Sequence, residues 1–318
     1  MPGLEIVAFS EEHLDAAAEL LQERHERHRK AAPLLPADVD FRVLVGELWA
    51  KEEASGAVGI RDGRVTSYLV GTRFDDEVWG PNAWVELAGH AAEEPEDVRD
   101  LYGFAAARWV EGGRRAHYVY VPASDSGLVD AWFRVEFGAQ HAFGIRELSD
   151  EPARTFPGVV VREADERDLD AIVGVAPALK EHQSLSPVFS KGRRWSDEEM
   201  RADILRDLGD DTVGNLVAEI DGRIVANFVV APIELTSAHY YGVARPPRAA
   251  LLGFAATLPD ARGSGAGLAL TEASFAWARE RGYEVMVTDW RVTNLLASRF
   301  WPKRGFRTTF LRLHRYVA

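Results

Sequence analysis

The chain has 318 residues, of which 47% are hydrophobic and 27% charged, and it contains no cysteine. This length predicts two domains, and the lack of thiols excludes a disulfide scaffold, a thiolate zinc site and a cysteine nucleophile. The net charge of −13 comes from the first half, because residues 1–157 carry 16 basic and 29 acidic side chains and residues 158–318 carry 21 of each. An acidic surface disfavours nucleic acid, since such binding depends on neutralising phosphates.

The first half of the chain predicts strands alternating with helices around a hairpin. The hairpin turns at Asp62-Gly63, a dipeptide that favours a type I′ turn, and apolar residues at helical spacing mark a helix between Val98 and Trp109. The predicted elements, in chain order, are strand 4–8, helix 10–30, helix 38–54, hairpin strands 57–60 and 65–70, strand 83–88, helix 98–109, strand 117–121, helix 126–136 and strand 139–145.

After a predicted linker at residues 149–158, which contains two prolines and a glycine, the same order of elements returns. Ser196 and Glu199 have the spacing of a capping box, and Asp221-Gly222 predicts a second hairpin turn. The predicted elements are strand 159–162, helix 165–181, a helix from Ser196, hairpin strands 216–220 and 224–230, strand 250–257, helix 265–281, strand 285–288, helix 294–301, and strands 307–310 and 312–317.

The two Asp-Gly turns lie 159 residues apart, which predicts an internal duplication. We therefore expect an α/β (α+β) fold with two tandem domains, residues 1–150 and 158–318. Each domain should be a mixed, mostly antiparallel twisted sheet flanked by helices. No apolar run approaches the ~18 residues of a membrane span, and the first residues do not resemble a signal peptide. We expect a cytoplasmic protein.

A glycine-rich loop between a strand and a helix is the motif that carries chemistry. Between Leu258 and Leu268 the sequence reads LPDARGSGAGL, with glycine at alternate positions 263, 265 and 267. Glycine lets a backbone approach an anion, and the free amides of a helix start point at it, so the loop predicts pyrophosphate binding. A tight structural turn is the alternative. A Walker loop is excluded because no Gly-Lys-Ser/Thr follows.

At these positions the sequence resembles the GNAT superfamily of acyl-CoA-dependent N-acyltransferases, and its duplication resembles tandem members of mycothiol-synthase-like architecture. The family signature is Arg/Gln-x-x-Gly-x-Gly/Ala, and a second block is Asn-x-x-Ala followed by Gly-Phe. The matching residues are Arg262, Gly265 and Gly267 for the signature, and Asn294, Ala297, Gly305 and Phe306 for the second block.

The resemblance implies that the second half binds acetyl-CoA, or another acyl-CoA, as co-substrate. No metal is expected. The pantetheine arm would pair with the backbone of Ala255, Ala256 and Thr257, and a backbone N–H near Thr257 would polarise the thioester carbonyl. Asn294 would contact the pantetheine or phosphate region. The residues implied for the pyrophosphate are Arg262, Gly263, Ser264, Gly265, Ala266, Gly267 and Leu268.

The positions for proton transfer depart from the usual pattern of the family. Many members have a tyrosine acid where this chain has Trp301, and a carboxylate base where it has Leu251. Glu234 and Tyr241, with His239 and Tyr240 between them, are the replacement candidates from the connector before the central strand. Asp289 is a further catalytic candidate, with a helix cap as its alternative role.

The first half lacks the motif and is expected to be a degenerate GNAT-like domain without a pyrophosphate loop. The corresponding stretch, residues 91–100, has no glycine and includes Glu93, Glu94, Glu96 and Asp97. These carboxylates would repel a pyrophosphate, so we expect this copy not to bind CoA.

The sequence thus predicts an enzyme, an N-acetyltransferase that acts by direct attack of a primary amine on the thioester. The partner would be a small-molecule amine, which the acidic first half could attract if it is cationic. No nucleic-acid or membrane partner is expected, and the protein would be a monomer or a homodimer. A non-catalytic CoA-binding sensor or scaffold is the alternative, and a longer acyl donor stays open.

Overall fold

The structure is a computed structural model that describes residues 3–76, 79–150, 154–190, 192, 195–235 and 241–318. The helices are α1 Leu14–Ala31, α2 Phe41–Trp49, α3 Asp97–Glu111, α4 Ser126–Phe133, α5 Leu169–Val175, α6 Pro177–Ser184, α7 Asp197–Leu208, α8 Ala266–Glu280 and α9 Leu295–Phe300. The strands are β1 Glu5–Ala8, β2 Ser55–Arg61, β3 Arg64–Asp76, β4 Gly80–Val85, β5 His90–Ala92, β6 Ala116–Pro122, β7 Gly138–Glu147, β8 Val160–Glu163, β9 Gly214–Ile220, β10 Arg223–Pro232, β11 Ala249–Thr257, β12 Val285–Arg291 and β13 Arg307–Tyr316.

The described residues form two compact units, and neither unit is one continuous segment. Unit 1 contains the chain up to Phe143 with Tyr241–Pro246 and Thr308–Ala318, and unit 2 contains the rest. The last strand joins unit 1 because residues 310–316 of β13 pair antiparallel with β6. The linear domains 1–150 and 158–318 stay a prediction, since the compact units follow strand pairing rather than chain order.

Unit 1 is a mixed sheet with helices on both faces. Its strand order is β1-β2-β3-β4-β6-β13-β7, with β5 beside β3, and β4 and β6 are its parallel pair. Neighbouring residues of β3 face opposite sides. Tyr68 and Val70 pack in one core with α1 and α2, whereas Leu69 packs in the other with α3 and α4.

Unit 2 repeats this plan. Its sheet runs from the end of β7 through β12, β11, β10 and β9 to β8, with β11 and β12 parallel and β8–β11 antiparallel. Helix α8 joins the parallel strands here, as α3 joins β4 to β6 in unit 1. The mixed, mostly antiparallel α/β fold class is confirmed.

Both predicted hairpin turns are confirmed by their backbone angles. Asp62 and Gly63 have φ of 51° and 76°, and Asp221 and Gly222 have φ of 50° and 74°. Positive φ at both central residues defines the type I′ turn, whose twist matches that of the strands it joins. The capping box of Ser196 and Glu199 is likewise present at the start of α7.

Other boundaries differ from the prediction for local reasons. The single helix expected over 165–181 is a one-turn 3₁₀ helix followed by α5 and α6, because Pro177 lacks an amide donor and starts a new helix. The two strands expected after residue 307 are one continuous strand, β13. Among the described residues, no helix is both long and apolar enough to cross a membrane.

Candidate functional site

The main cleft of unit 2 opens where the parallel strands β11 and β12 separate. They pair only from Ala249 with Val285 to Leu251 with Val287. Just beyond, the hydroxyl of Thr288 donates a hydrogen bond of 2.9 Å to the carbonyl oxygen of Leu252. Residues 252–257 and 288–291 then line a cleft of about 560 Å³.

Strand β11 leaves one backbone edge free in this cleft. Its other edge pairs with β10, where Phe228 lies opposite Ala255 and Ala226 opposite Thr257. The pairing skips Gly253, so the strand bulges near the point of separation. Among the described residues, the backbone groups on the β12 side of residues 255–257 therefore have no strand partner. An extended ligand could pair with them as an added strand.

The glycine-rich loop lies at one end of the cleft, at the start of α8. Gly263 and Gly265 have φ of 86° and 97°, in the left-handed region that favours glycine. No side chain caps the helix at Gly265, and the amides of Gly267 and Leu268 lack an intrahelical acceptor because they lie in the first turn. These donors can hold an anion, and the positive end of the helix dipole favours one.

The structure brings almost all predicted cofactor residues into this one cleft. The lining includes the predicted residues Ala255, Ala256, Thr257, Arg262, Gly263, Ser264, Gly265, Gly267, Leu268 and Asn294. Ala266 is the exception, because it is 1% exposed and its amide donates to the Ser264 hydroxyl at 3.3 Å.

Asn294 is held at the cleft by the start of α9. Its side-chain oxygen accepts hydrogen bonds from the Ala297 amide and from Nε2 of His182, each at 3.2 Å. Helix α6, which packs on β11, carries His182 into the lining of the cleft. Because the side-chain oxygen of Asn294 accepts two hydrogen bonds, its amide nitrogen is the group that can donate to a ligand.

An aromatic wall occupies the position where the resemblance implied a tyrosine acid. Trp301 is 6% exposed and lines the cleft. Its ring centroid lies 4.9 Å from that of Phe300, 5.6 Å from that of Phe306 and 6.2 Å from that of Phe228. An indole in this packed setting supplies apolar surface and an N–H, with no phenol to protonate a leaving group.

Three arginines, Arg262, Arg291 and Arg304, line the cleft and add positive charge to it. The Arg304 guanidinium lies 4.3 Å from the centre of the Phe300 ring. Partial burial lowers the pKa of Arg304 below its usual value. Arginines at these positions suit the phosphates of an anionic ligand.

The predicted catalytic residues do not come together. Asp289 lines the cleft, whereas Glu234 lies exposed on the 3₁₀ turn Ile233–Leu235 and is absent from the lining. Tyr241 belongs to unit 1, where its hydroxyl donates to Glu86 at 3.0 Å and burial raises its pKa well above the usual value. His239 and Tyr240 lie outside the described residues.

Sequence reasoning missed His182 as a cleft residue. It lies 112 positions before Asn294, its hydrogen-bond partner, and neither residue's local sequence indicates the pairing. Its place near the end of a two-part helical segment offered no catalytic signature. Gln183 and Trp290 were missed for the same reason, and both also line the cleft.

In unit 1, side chains of the protein itself occupy the position that corresponds to this cleft. The parallel pairing of β4 with β6 ends at Val85 and Val119. Just beyond, Arg24 of α1 donates to the carbonyl oxygens of Leu87 and His90, and the His90 ring donates to the carbonyl of Tyr120.

The acidic segment before α3 in unit 1 is held by ion pairs instead of forming an anion loop. Arg61 pairs with Asp97, and Arg64 pairs with Glu93. Within the parts of the chain that the structure describes, no group of three or more His, Asp or Glu side chains could hold a metal ion.

The segment that forms the cleft matches the model of a known protein family. Residues 176–306 match the family model described as "Acetyltransferase (GNAT) family". This segment of the chain, which contains the residues that line the cleft, is therefore similar to GNAT acetyltransferases. A search of curated proteins found no match to the chain.

Solved structures of similar fold cover nearly all of the chain. A GCN5-related N-acetyltransferase from Sphaerobacter thermophilus matches with a TM-score of 0.62 at 14% identity, covering 98% of this chain and 95% of that one. A tandem GNAT protein of the clavulanic acid biosynthesis pathway matches with a TM-score of 0.52 at 15% identity, covering 99% of both chains. The glucosamine N-acetyltransferase region of a fungal multi-domain enzyme gives a TM-score of 0.56 at 11% identity, covering 99% of this chain and 38% of that one. The predicted tandem GNAT fold is confirmed.

Proposed function

We propose that the protein is an N-acetyltransferase that uses acetyl-CoA to acylate the primary amine of a small molecule. The observation that carries this proposal is the separation of β11 from β12 directly in front of the glycine loop. It offers a free strand edge for a pantetheine arm and helix-start amides for a pyrophosphate, in one continuous cleft.

In this proposal, the residues that line the cleft have defined roles in binding acyl-CoA. The amides of Gly263, Gly265, Gly267 and Leu268 hold the pyrophosphate, and Arg262 adds a positive charge. The residues from Ala255 to Thr257 align the arm, and the Asn294 amide nitrogen donates to it. The bound acyl-CoA supplies an activated thioester, which a neutral amine attacks directly.

The position of Asp289 favours an acceptor that carries a positive charge next to its reacting neutral amine. Its position in the cleft wall allows its carboxylate to bind a cationic group of the acceptor next to the reacting amine. The acidic composition of the chain would raise the local concentration of such a substrate.

A non-catalytic CoA-binding sensor is the second candidate. It is favoured by one observation, the presence of Trp301 and Leu251 where many relatives have an acid and a base. Such a protein would hold acetyl-CoA tightly without turning it over.

Release of free CoA thiol separates the two candidates. Wild-type protein is mixed with acetyl-CoA and a panel of diamines, aminosugars and neutral monoamines, and thiol release is followed together with acetylated product. We expect steady turnover by the wild type. Turnover of cationic acceptors should fall at least about 10-fold in Asp289→Asn, because the ion pair between Asp289 and the acceptor is lost. Binding of acetyl-CoA without turnover on any amine would select the sensor.

A further inference from the structure

His182 lines the cleft and is hydrogen-bonded to Asn294. Its helix, α6, packs on β11, and the imidazole lines the same cleft as Thr288, Asp289 and the end of β11. Nε2 lies 3.2 Å from the side-chain oxygen of Asn294. That oxygen also caps α9, because it accepts from the Ala297 amide.

This geometry determines which ring nitrogen carries the hydrogen. The cap identifies the Asn294 atom as oxygen, since an amide N–H of Ala297 donates to it, and an oxygen of this kind only accepts. Nε2 of His182 must therefore be the donor. In the neutral imidazole the remaining nitrogen, Nδ1, is then an acceptor. Among the described residues, the bond to Asn294 is the one hydrogen bond that His182 makes.

We infer that His182 is the general base of the proposed acyl transfer, and this inference rests on the proposed function. The amine nitrogen bonds to the thioester carbonyl carbon, and one of its protons passes to Nδ1 of His182. The carbon–sulfur bond breaks with its electron pair on sulfur, and the thiolate takes the proton back from the imidazolium. The products are the amide and free CoA thiol.

Asn294 has a second role, which is to orient the imidazole of His182. It acts as a positioning residue, because it holds the imidazole in one tautomer and one orientation while its amide nitrogen stays free for the co-substrate. The arrangement replaces the missing carboxylate and tyrosine of the family pattern by a histidine from a different element. Asp289 keeps its separate part, which is to bind the acceptor.

The test uses three variants of helix α6 and the full chain. His182→Gln keeps a donor for Asn294 but cannot take a proton. His182→Ala removes the ring and leaves space for a soluble imidazole. Glu181→Ala, at an exposed neighbouring position outside the lining, is the matched control. Acetyl-CoA affinity is measured by calorimetry, and kcat and KM are measured with the best amine of the panel.

We expect kcat of His182→Gln to fall about 100-fold or more, which is the usual effect of losing a general base. Acetyl-CoA affinity should stay within about twofold, and Glu181→Ala should match wild type. Substituted imidazoles should restore acetylated product in His182→Ala, with a rate that rises with the basicity of the imidazole.

Retention of kcat in His182→Gln would overturn the inference, as would a loss that follows an equal loss of acetyl-CoA affinity. Rescue that is absent, or that is independent of basicity, would also overturn it. A wild type that releases no thiol with any amine contradicts the proposed function and this inference with it. An active wild type with an equally active His182→Gln contradicts this inference alone.

Discussion

The guanidinium of Arg24 donates a hydrogen bond of 2.5 Å to the carbonyl oxygen of Leu87 inside unit 1. Leu87 follows the parallel strand β4, at the point where the corresponding strand of unit 2 opens into the cleft. Arg24 is 2% exposed, and burial lowers its pKa to about 10. A side chain of the protein thus hydrogen-bonds carbonyl groups of unit 1 at the position that corresponds to the cleft of unit 2.

Replacing Arg24 should destabilise the protein strongly. Arg24→Met would leave the carbonyls of Leu87 and His90 buried without donors, at a cost of roughly 3 kcal/mol in the free energy of unfolding. Arg27→Met on the same helix is the control, because Arg27 is paired with Glu23 in an exposed ion pair. Urea unfolding measures both. Equal, small effects would show that the buried hydrogen bonds contribute little.

Stability should fall in mild acid because unit 1 buries neutral histidines. Burial lowers the pKa of His28 and of His90 to about 3, and that of His117 to about 4. The unfolded chain, with histidine pKa near ~6.5, then binds more protons than the folded chain between these values, so stability is present above pH ~6.5 and lost as pH falls below it.

The slope of this pH dependence is measurable. Each such histidine contributes up to ~1.4 kcal/mol per pH unit within its window. Urea unfolding at pH values from 7.5 to about 4.5 should therefore give a steep decline that begins below the ordinary histidine range. His28→Leu should flatten the decline. A stability that stays constant down to pH ~5 would contradict the assignment of neutral buried histidines.

The cleft of unit 2 could be predicted from the sequence because its parts are local. The strand, the loop with glycine at 263, 265 and 267, and the helix are consecutive, and Asn294 begins the next helix. Type I′ turns at Asp-Gly are equally local. Such features depend on residues a few positions apart, which a single sequence displays directly.

Features that depend on distant pairing could not be predicted. Periodicity indicates a strand but not the sheet that it joins, so the sequence does not reveal that β13 pairs with β6 or that Tyr241 meets Glu86. Three-residue β5 is too short to have a pattern. The bond between His182 and Asn294 depends on tertiary packing of α6, which no local motif encodes.

The conformation of Gly265 predicts a selective loss of acyl-CoA binding. Gly265→Ala strains a backbone with φ of 97° and displaces the amides at the start of α8. Gly222→Ala in the second hairpin is the matched control, because it strains a similar conformation, with φ of 74°, away from the loop. Both should lose about 1 kcal/mol of stability.

Calorimetry distinguishes the two glycine variants. Gly265→Ala should weaken acetyl-CoA binding at least about 10-fold, which corresponds to ~1.4 kcal/mol, whereas Gly222→Ala should bind like wild type. Unchanged affinity in Gly265→Ala would show that the loop amides do not hold the co-substrate.

Asn294 should contribute both to stability and to ligand binding. Asn294→Ala removes the cap of α9 and should cost about 1 kcal/mol. Asp125→Ala is its counterpart in unit 1, since Asp125 caps α4 through the Leu128 amide. Thermal unfolding should report similar losses for the two, while calorimetry should report weaker acetyl-CoA binding for Asn294→Ala alone. Equal affinity in both variants would limit Asn294 to its capping role.

The most direct test of the proposed site is a calorimetric titration of acetyl-CoA into the wild type and into an Arg262→Ala, Gly265→Asp double variant. We expect one molecule bound per wild-type chain, because the loop is present in unit 2 and side chains of unit 1 occupy the corresponding position there. The double variant, with circular dichroism unchanged, should show no detectable binding. Two molecules per chain, none in the folded wild type, or undiminished binding by the double variant would contradict an acyl-CoA site in this cleft.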